Sequence, residues 1–214
     1  MNTKADLFAP SIAVRTEPVQ QRSTERITSL LDAAAALIDQ NGIDGLTTSD
    51  VATRSGSSVG VVYRYFPNIQ SLLRALAARN LEKFTALVQQ AASVGYTEWA
   101  EGADAVIDAY VSLARTEPGF RAVRFGDIID ERFIAEPSMS TTTSIAHVFY
   151  GRLVEAYGFT ESDDLKLDVE IIVEVADGIL HRAFRYDRKG DERFIARLRT
   201  IARDFLRSYE ASRA

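Results

Sequence analysis

Few residues in this chain are equipped for covalent or metal chemistry. The sequence has no cysteine and only two histidines, His147 and His181, which excludes a disulfide framework, thiolate metal sites and a cysteine nucleophile. Asp127, Asp130 and Glu131 precede His147 without a nucleophile–base pair or a dyad motif around them, so an enzyme is not expected. Glu170, Glu174, Asp177 and His181 follow at steps of four, three and four. On a helix they share one stripe with a spacing open to a metal ion, although a solvated or ion-paired face is the commoner use. No catalytic residue, resident metal or cofactor is expected.

The most specific spacing lies between positions 46 and 68. Two seven-residue helical segments, Thr48–Arg54 and Val59–Tyr65, flank Ser55-Gly56-Ser57-Ser58. Helices that short are unstable alone, so Leu46, Val51, Ala52, Val62 and Phe66 must clamp them. Gly56 suits the turn because it has no Cβ to clash, and Ser58 can cap the second segment with its hydroxyl.

The chemistry this arrangement suits is DNA binding. Gly60 lets the backbone approach the major groove, and the positive end of the helix dipole favours phosphate. Tyr63, Arg64 and Tyr65 carry phosphate-binding groups, while Val59 and Val61 can pack against thymine methyls. Taken singly, Tyr63 suits a core as well as a contact, and burial is the better expectation for Val61 and Val62. The joint spacing of Gly56, Ser58, Gly60 and Tyr63 has no purely core explanation.

The elements that must hold this motif are helical. Residues 1–21 show no period and read as a flexible arm, from which Lys4, Arg15 and Arg22 could help hold DNA. From Ser23 onward, Ile27, Leu30, Leu31, Ala34, Leu37 and Ile38 form an amphipathic stripe that ends at Asn41-Gly42. Further helices are expected over 69–92, 97–116, 138–157, 161–186 and 191–209. No segment alternates as a strand would. The expectation is an all-α chain of about nine helices, divided into the arm 1–21, a helix-turn-helix domain 22–75 and an effector-binding and dimerisation domain 76–214.

Several residues carry a family resemblance: Arg22 and Arg26 ahead of Leu30-Leu31-Asp32-Ala33-Ala34, then Gly42, Leu46-Thr47-Thr48, Val51-Ala52, Gly56, Ser58, Gly60, Tyr63, Tyr65-Phe66-Pro67-Asn68 and Leu72-Leu73. Residues 22–76, about a quarter of the chain, resemble the DNA-binding domain of the tetracycline-repressor (TetR) family of bacterial regulators. The resemblance implies a nine-helix fold, a homodimer and an effector pocket in the C-terminal domain. It makes Thr48 and Tyr63 phosphate contacts and turns Val59, Gly60 and Arg64 to the groove. With their neighbours, the expected DNA-binding set is Arg22, Arg26, Thr48, Arg54, Ser58, Val59, Gly60, Tyr63, Arg64 and Tyr65. Ile69 stands where the family commonly has lysine, Ser57 replaces an aliphatic residue and Val61 a Thr or Ser, which implies fewer polar DNA contacts.

Beyond residue 80 the chemistry is aromatic. Phe84, Trp99, Tyr110, Phe120, Phe125, Phe133, His147, Phe149 and Tyr150 lie on or between the middle helices. Each alone is ordinary core material, but together they suit a cavity for a small apolar or aromatic effector. The expected ligand set is Phe84, Trp99, Tyr110, Phe120, Phe125, His147 and Tyr150. His147 also reads as a hydrogen-bonded core histidine.

The final helix carries Arg193, Arg197, Arg199, Arg203 and Arg207 beside Phe194, Leu198, Ile201, Phe205 and Tyr209. Opposed to the acidic stripe of the penultimate helix, these arginines would give a bundle its register. In the family this helix pair, doubled by symmetry, forms the dimer interface. Ile172, Ala176, Gly178, Ile179, Leu198, Ile201 and Phe205 are expected there, with Gly178 marking a close helix crossing. A two-fold dimer would set two recognition helices about one DNA turn apart and demand a palindromic operator.

Charge permits this reading. The net charge is −5, but residues 1–79 hold 8 Lys+Arg against 7 Asp+Glu, leaving 17 against 23 for the rest. No apolar run approaches the roughly 20 residues of a membrane span, and the N-terminus shows no apolar secretion signal, so no membrane partner and a cytoplasmic location are expected. The expected function is a repressor released from double-stranded operator DNA by a small molecule. The alternative is a helical small-molecule-binding protein with weak or lost DNA affinity.

Overall fold

The apolar stripe around Leu30 folds as the long helix α1 (Glu17–Asn41) in a computed structural model that describes residues 17–122 and 141–210. This helix begins before Ser23, so residues 17–21, expected in the flexible arm, are helical. Pro18 is compatible with that start because first-turn N–H groups have no intrahelical partner to lose. Then follow α2 (Thr48–Arg54), α3 (Val59–Tyr65), α4 (Ile69–Ser93) and α5 (Trp99–Thr116), a single 3-10 turn at Phe120–Ala122, and α6 (Thr141–Tyr157), α7 (Asp163–Phe184) and α8 (Glu192–Glu210). The chain is all-α, with eight α-helices and no strand among the described residues.

Three apolar clusters hold these helices. Leu30, Ala34, Val51, Val62, Leu72 and Leu76 join α1 to α4. Phe84, Ile107, Phe120, Phe184 and Leu198 join α4, α5, the 3-10 turn, α7 and α8. Trp99, Leu153, Leu165 and Leu206 join the far ends of α5 to α8. One helix, α4, contributes to both the first and second clusters, so it links the short reading helices directly to the rest of the molecule.

Ionic contacts differ from the expected register at two α8 arginines, which turn to α5: Arg199 bonds Asp108 at 2.6 Å and Asp104 at 3.2 Å, and Arg203 also pairs with Asp104. Arg193 and Arg207 pair instead with Asp191 and Asp204, near them in sequence. Asp177 is buried, and among the described residues Glu170, Glu174, Asp177 and His181 form no group that could hold a metal ion.

The end of α8 is held by two polar bonds. Trp99 Nε1 donates to Glu210 at 2.5 Å, and the Tyr209 hydroxyl donates to Asp168 at 2.7 Å. The second bond, with desolvation and the Asp168 charge, pushes the Tyr209 phenol up to about 12. A pKa raised above the unfolded value of about 10 adds stability that is complete below pH 10 and is lost as pH rises through 12. Tyr209→Phe should therefore narrow its stability gap to the parent across that window, read from denaturant midpoints at pH 9 to 12.

Gly119 lies where α5 leads into the 3-10 turn, at φ +74°, against the backbone of α1. A Cβ there would sit 3.0 Å from Ala35 Cα and 3.2 Å from its carbonyl oxygen. Gly119→Ala should cost about 2–4 kcal/mol in urea unfolding, because both backbone strain and a backbone clash must be relieved.

Candidate nucleic-acid interface and effector region

The turn between α2 and α3 is set by backbone bonds that pair the last carbonyls of α2. Ser57 N donates to Ala52 O at 2.9 Å and Gly56 N to Thr53 O at 3.3 Å, with Gly56 at φ +63°. This is the helix ending that glycine closes at little cost. Both short helices are capped: the Thr47 hydroxyl accepts from Asp50 N at 3.1 Å, and the Ser58 hydroxyl from Val61 N at 3.3 Å. Asn68 does the same for α4, accepting from Ser71 N at 2.8 Å.

Burial then divides the faces of α3. Val62 is fully buried against the first cluster, whereas Tyr63 is 51% exposed and Val59 38% exposed. Gly60 and Arg64 are also exposed, and Val61 is half-buried. Tyr63 therefore does not serve the core. Its hydroxyl accepts from the Thr48 hydroxyl at 3.3 Å, which brings two expected phosphate partners together across α2 and α3.

The remaining expected DNA residues divide by environment. Arg22 and Ser58 are exposed. Arg26 donates to the Ser57 hydroxyl at 3.3 Å and Arg54 to Gln40 Oε1 at 3.0 Å, so both brace neighbouring helices. Tyr65 and Ile69 are half-buried against the first cluster. Tyr65 thus faces inward, unlike Tyr63.

The seven expected ligand residues do not form one group. Phe84, Tyr110 and Phe120 come together with Phe184, which the sequence reading missed. Tyr110 packs edge-on to Phe84 at 6.1 Å and to Phe120 at 5.2 Å, and lies tilted at 6.4 Å from Phe184. Trp99 packs instead on Phe159 at 5.9 Å, in the cluster that Tyr150 also joins. His147 is exposed, which corrects its reading as a core histidine. Phe125 and Phe133, with Asp127, Asp130 and Glu131, lie outside the described residues.

A buried polar group lies one helical turn before Phe84. Asn80, on α4 between Leu76 and Phe84, is 1% exposed, and its Nδ2 has no hydrogen-bond partner among the described residues. Two surface hollows lie elsewhere, one of about 710 Å³ beside Thr28 and Arg54 and one of about 680 Å³ beside Arg115 and Lys189.

Comparison with known proteins decides the family. Residues 30–76 match the model for bacterial regulatory proteins of the tetR family. Residues 97–209, more than half of the chain, match the tetracyclin repressor-like C-terminal domain. The chain belongs to the TetR family.

A TetR-family transcriptional regulator from Streptomyces coelicolor shares 32% identity and a TM-score of 0.68, over 86% of this chain and 99% of that one. The fatty acid degradation regulator FadR from Bacillus halodurans shares the fold at 19% identity and a TM-score of 0.61, over 82% of this chain and 93% of that one. The repressor KstR of Mycolicibacterium smegmatis is 35% identical over 75 residues, 35% of this chain and 37% of that protein. The match thus spans about two fifths of the length of that curated relative.

As a TetR-family chain, the protein carries an unpartnered face on the helix pair expected to dimerise. On α7, Leu167 is 56% exposed, Ile171 39% and Val175 38%. The next position on that face, Gly178, is exposed, and a Cβ there would meet nothing within 4 Å. Phe205 on α8 is also exposed, and Ile201 is half-buried.

Ile172 and Leu198, expected at the dimer interface, are instead buried within the protomer. Ala176 and Ile179 pack against the second cluster. The expected face is therefore corrected by about a quarter turn of α7: its inner side is used internally, and the outer side from Leu167 to Gly178 is the open one. No helix among the described residues is long and apolar enough to cross a membrane.

Proposed function

We propose that this chain is a homodimeric transcriptional repressor that holds a palindromic DNA operator through α2 and α3 and releases it when a small effector binds the C-terminal domain. The observation that carries the reading is the division of α3, with Val62 buried and Val59, Gly60, Tyr63 and Arg64 presented together. Two such helices, related by the two-fold axis of a dimer formed through α7 and α8, would enter successive major grooves. The cytoplasm is the compartment proposed.

The effector reading rests on the ring cluster and on Asn80. A buried donor without a partner costs about 1–3 kcal/mol, and a ligand oxygen would satisfy it. An effector with an apolar or aromatic body and one acceptor oxygen is therefore proposed. Effector and operator then disfavour each other's binding reciprocally.

Selection from a randomised duplex pool tests the DNA half. Specific recovery of paired, inverted half-sites is expected, with a steep fall in affinity as salt rises; roughly eight phosphate contacts would give a log–log slope of about −7. Salt-insensitive or sequence-blind retention would overturn the reading. Thermal-shift screening of a metabolite panel, with operator release measured for each hit, tests the effector half. A tight ligand that leaves operator affinity unchanged is not the effector.

A further inference from the structure

We propose that Asp39 is a positioning residue that fixes the separation of the two reading helices, because it ties α1 both to the effector-side turn and to the helix pair through which two copies associate. This rests on the dimeric regulator reading above.

The two carboxylate oxygens of Asp39 are taken by different elements. Arg121, in the 3-10 turn, donates to Oδ1, and Arg188, between α7 and α8, donates to Oδ2. The same Arg188 nitrogen also donates to the Asp39 backbone carbonyl at 2.9 Å. Arg188 is thereby fixed to both the side chain and the backbone of α1. The chain around Arg188 is held from a third element, since Arg115 of α5 donates to Lys189 O at 2.8 Å and bonds Glu192 at 2.5 Å.

On the other side, Asp39 is coupled to the reading helices. Its neighbour Ile38 is buried in the first cluster, and its other neighbour Gln40 accepts from Arg54 of α2 at 3.0 Å. Movement at Asp39 is passed to α2 and α3 through that packing.

Geometry matters here more than energy. An exposed ion pair contributes little to stability, and Arg188 is largely exposed. Among the described residues, α4 also runs from the first cluster into the second, and a Cβ added at Gly119 would meet the backbone of Ala35. A swing about α4 would change where a reading helix meets the groove, in which successive base pairs are about 3.4 Å apart. Two arginines gripping one carboxylate from different directions oppose that swing. Arg121 links the grip to Phe120, which packs on Tyr110 in the ring cluster, so a ligand that displaces those rings would loosen one of the two ties.

The test uses the duplex selected by the parent protein, remade with the half-site separation changed by one or two base pairs in each direction. The parent should disfavour the altered spacings by about tenfold or more, the scale of a mismatched base pair. Arg188→Gln and Asp39→Asn should reduce that preference to about threefold or less while remaining dimeric and keeping affinity for a duplex with one half-site. Arg188→Lys, which keeps the charge and can offer its one nitrogen to both acceptors as Arg188 does, should retain most of the preference.

Equal discrimination by the variants and the parent would overturn the proposal. So would a loss of single-half-site affinity in step with full-site affinity, which would mark Asp39 as merely structural for the reading helices. If the parent selects no paired half-sites at all, the dimeric regulator reading itself fails, a result distinct from either of these.

Discussion

A glutamate at Ile171 should leave the protomer folded, split the dimer and lower operator affinity by about a hundredfold or more. Ile171 lies between Leu167 and Val175 on the outer side of α7, all three exposed in the isolated protomer. A polar residue there removes little from the internal core, so far-ultraviolet circular dichroism and the unfolding midpoint should hardly change. In the dimer, the same change is made twice by symmetry. It removes about 1.5–3 kcal/mol of apolar burial per side chain and leaves two carboxylates to be desolvated at one interface.

Loss of the dimer halves the number of reading helices on one duplex, so the salt slope of binding should also fall to about half. Sedimentation gives the mass, and fluorescence anisotropy gives the affinity. A variant that stays dimeric with unchanged binding would place the interface elsewhere. Ile172→Glu is the contrasting case: Ile172 is buried within the protomer, and a charge there should unfold the chain.

Gly60 should separate stability from function. It lies in α3, is exposed, and a Cβ at its position would approach only the Ser58 hydroxyl, at 3.9 Å. An alanine should fold and be no less stable than the parent; because Gly60 is in the first turn of α3, the gain is below the roughly 0.5–1 kcal/mol of a helix interior. A glutamate should also fold. It would set a long negative side chain on the surface proposed to meet DNA, with phosphate repulsion added to steric exclusion from the groove.

Operator affinity should therefore fall by about a hundredfold or more for Gly60→Glu, equivalent to about 2.8 kcal/mol or more. Gly60→Ala should lose several-fold affinity while melting no lower than the parent. If Gly60→Glu binds operator like the parent, that face of α3 does not meet DNA. Together the two variants exclude the trivial explanation that binding was lost because the protein unfolded.

The short helices were legible in the sequence because their signals are local. Thr47 and Ser58 supply caps from their own side chains, Gly56 supplies the left-handed turn, and the structure has α2 and α3 at the expected residues. The all-α class was equally plain, since three- and four-residue apolar spacing is a property of each helix alone. The start of α1 was missed because residues 17–21 lack an apolar stripe, and a helix can continue outward from a buried segment without one.

The aromatic set was harder to read. Phe84, Tyr110 and Phe120 meet, and Phe184 joins them from α7, but Trp99 lies in another cluster. Sequence gives each ring its helix and its face, whereas the partner of that face depends on how four helices cross. The same gap misplaced Arg199 and Arg203 of α8, whose carboxylate partners came from α5.

Composition and local spacing by themselves determined the helical class, the capped reading motif and the scarcity of catalytic groups, because each follows from interactions within a few residues along the chain. Only the tertiary structure decided which side of α7 remains open. That helix carries apolar residues on both sides, Ile172 inward and Ile171 outward, and periodicity cannot rank two apolar faces. The choice depends on which face α6 and α8 cover, just as Asp39 meets Arg121 and Arg188 only after segments far apart in the chain have packed together.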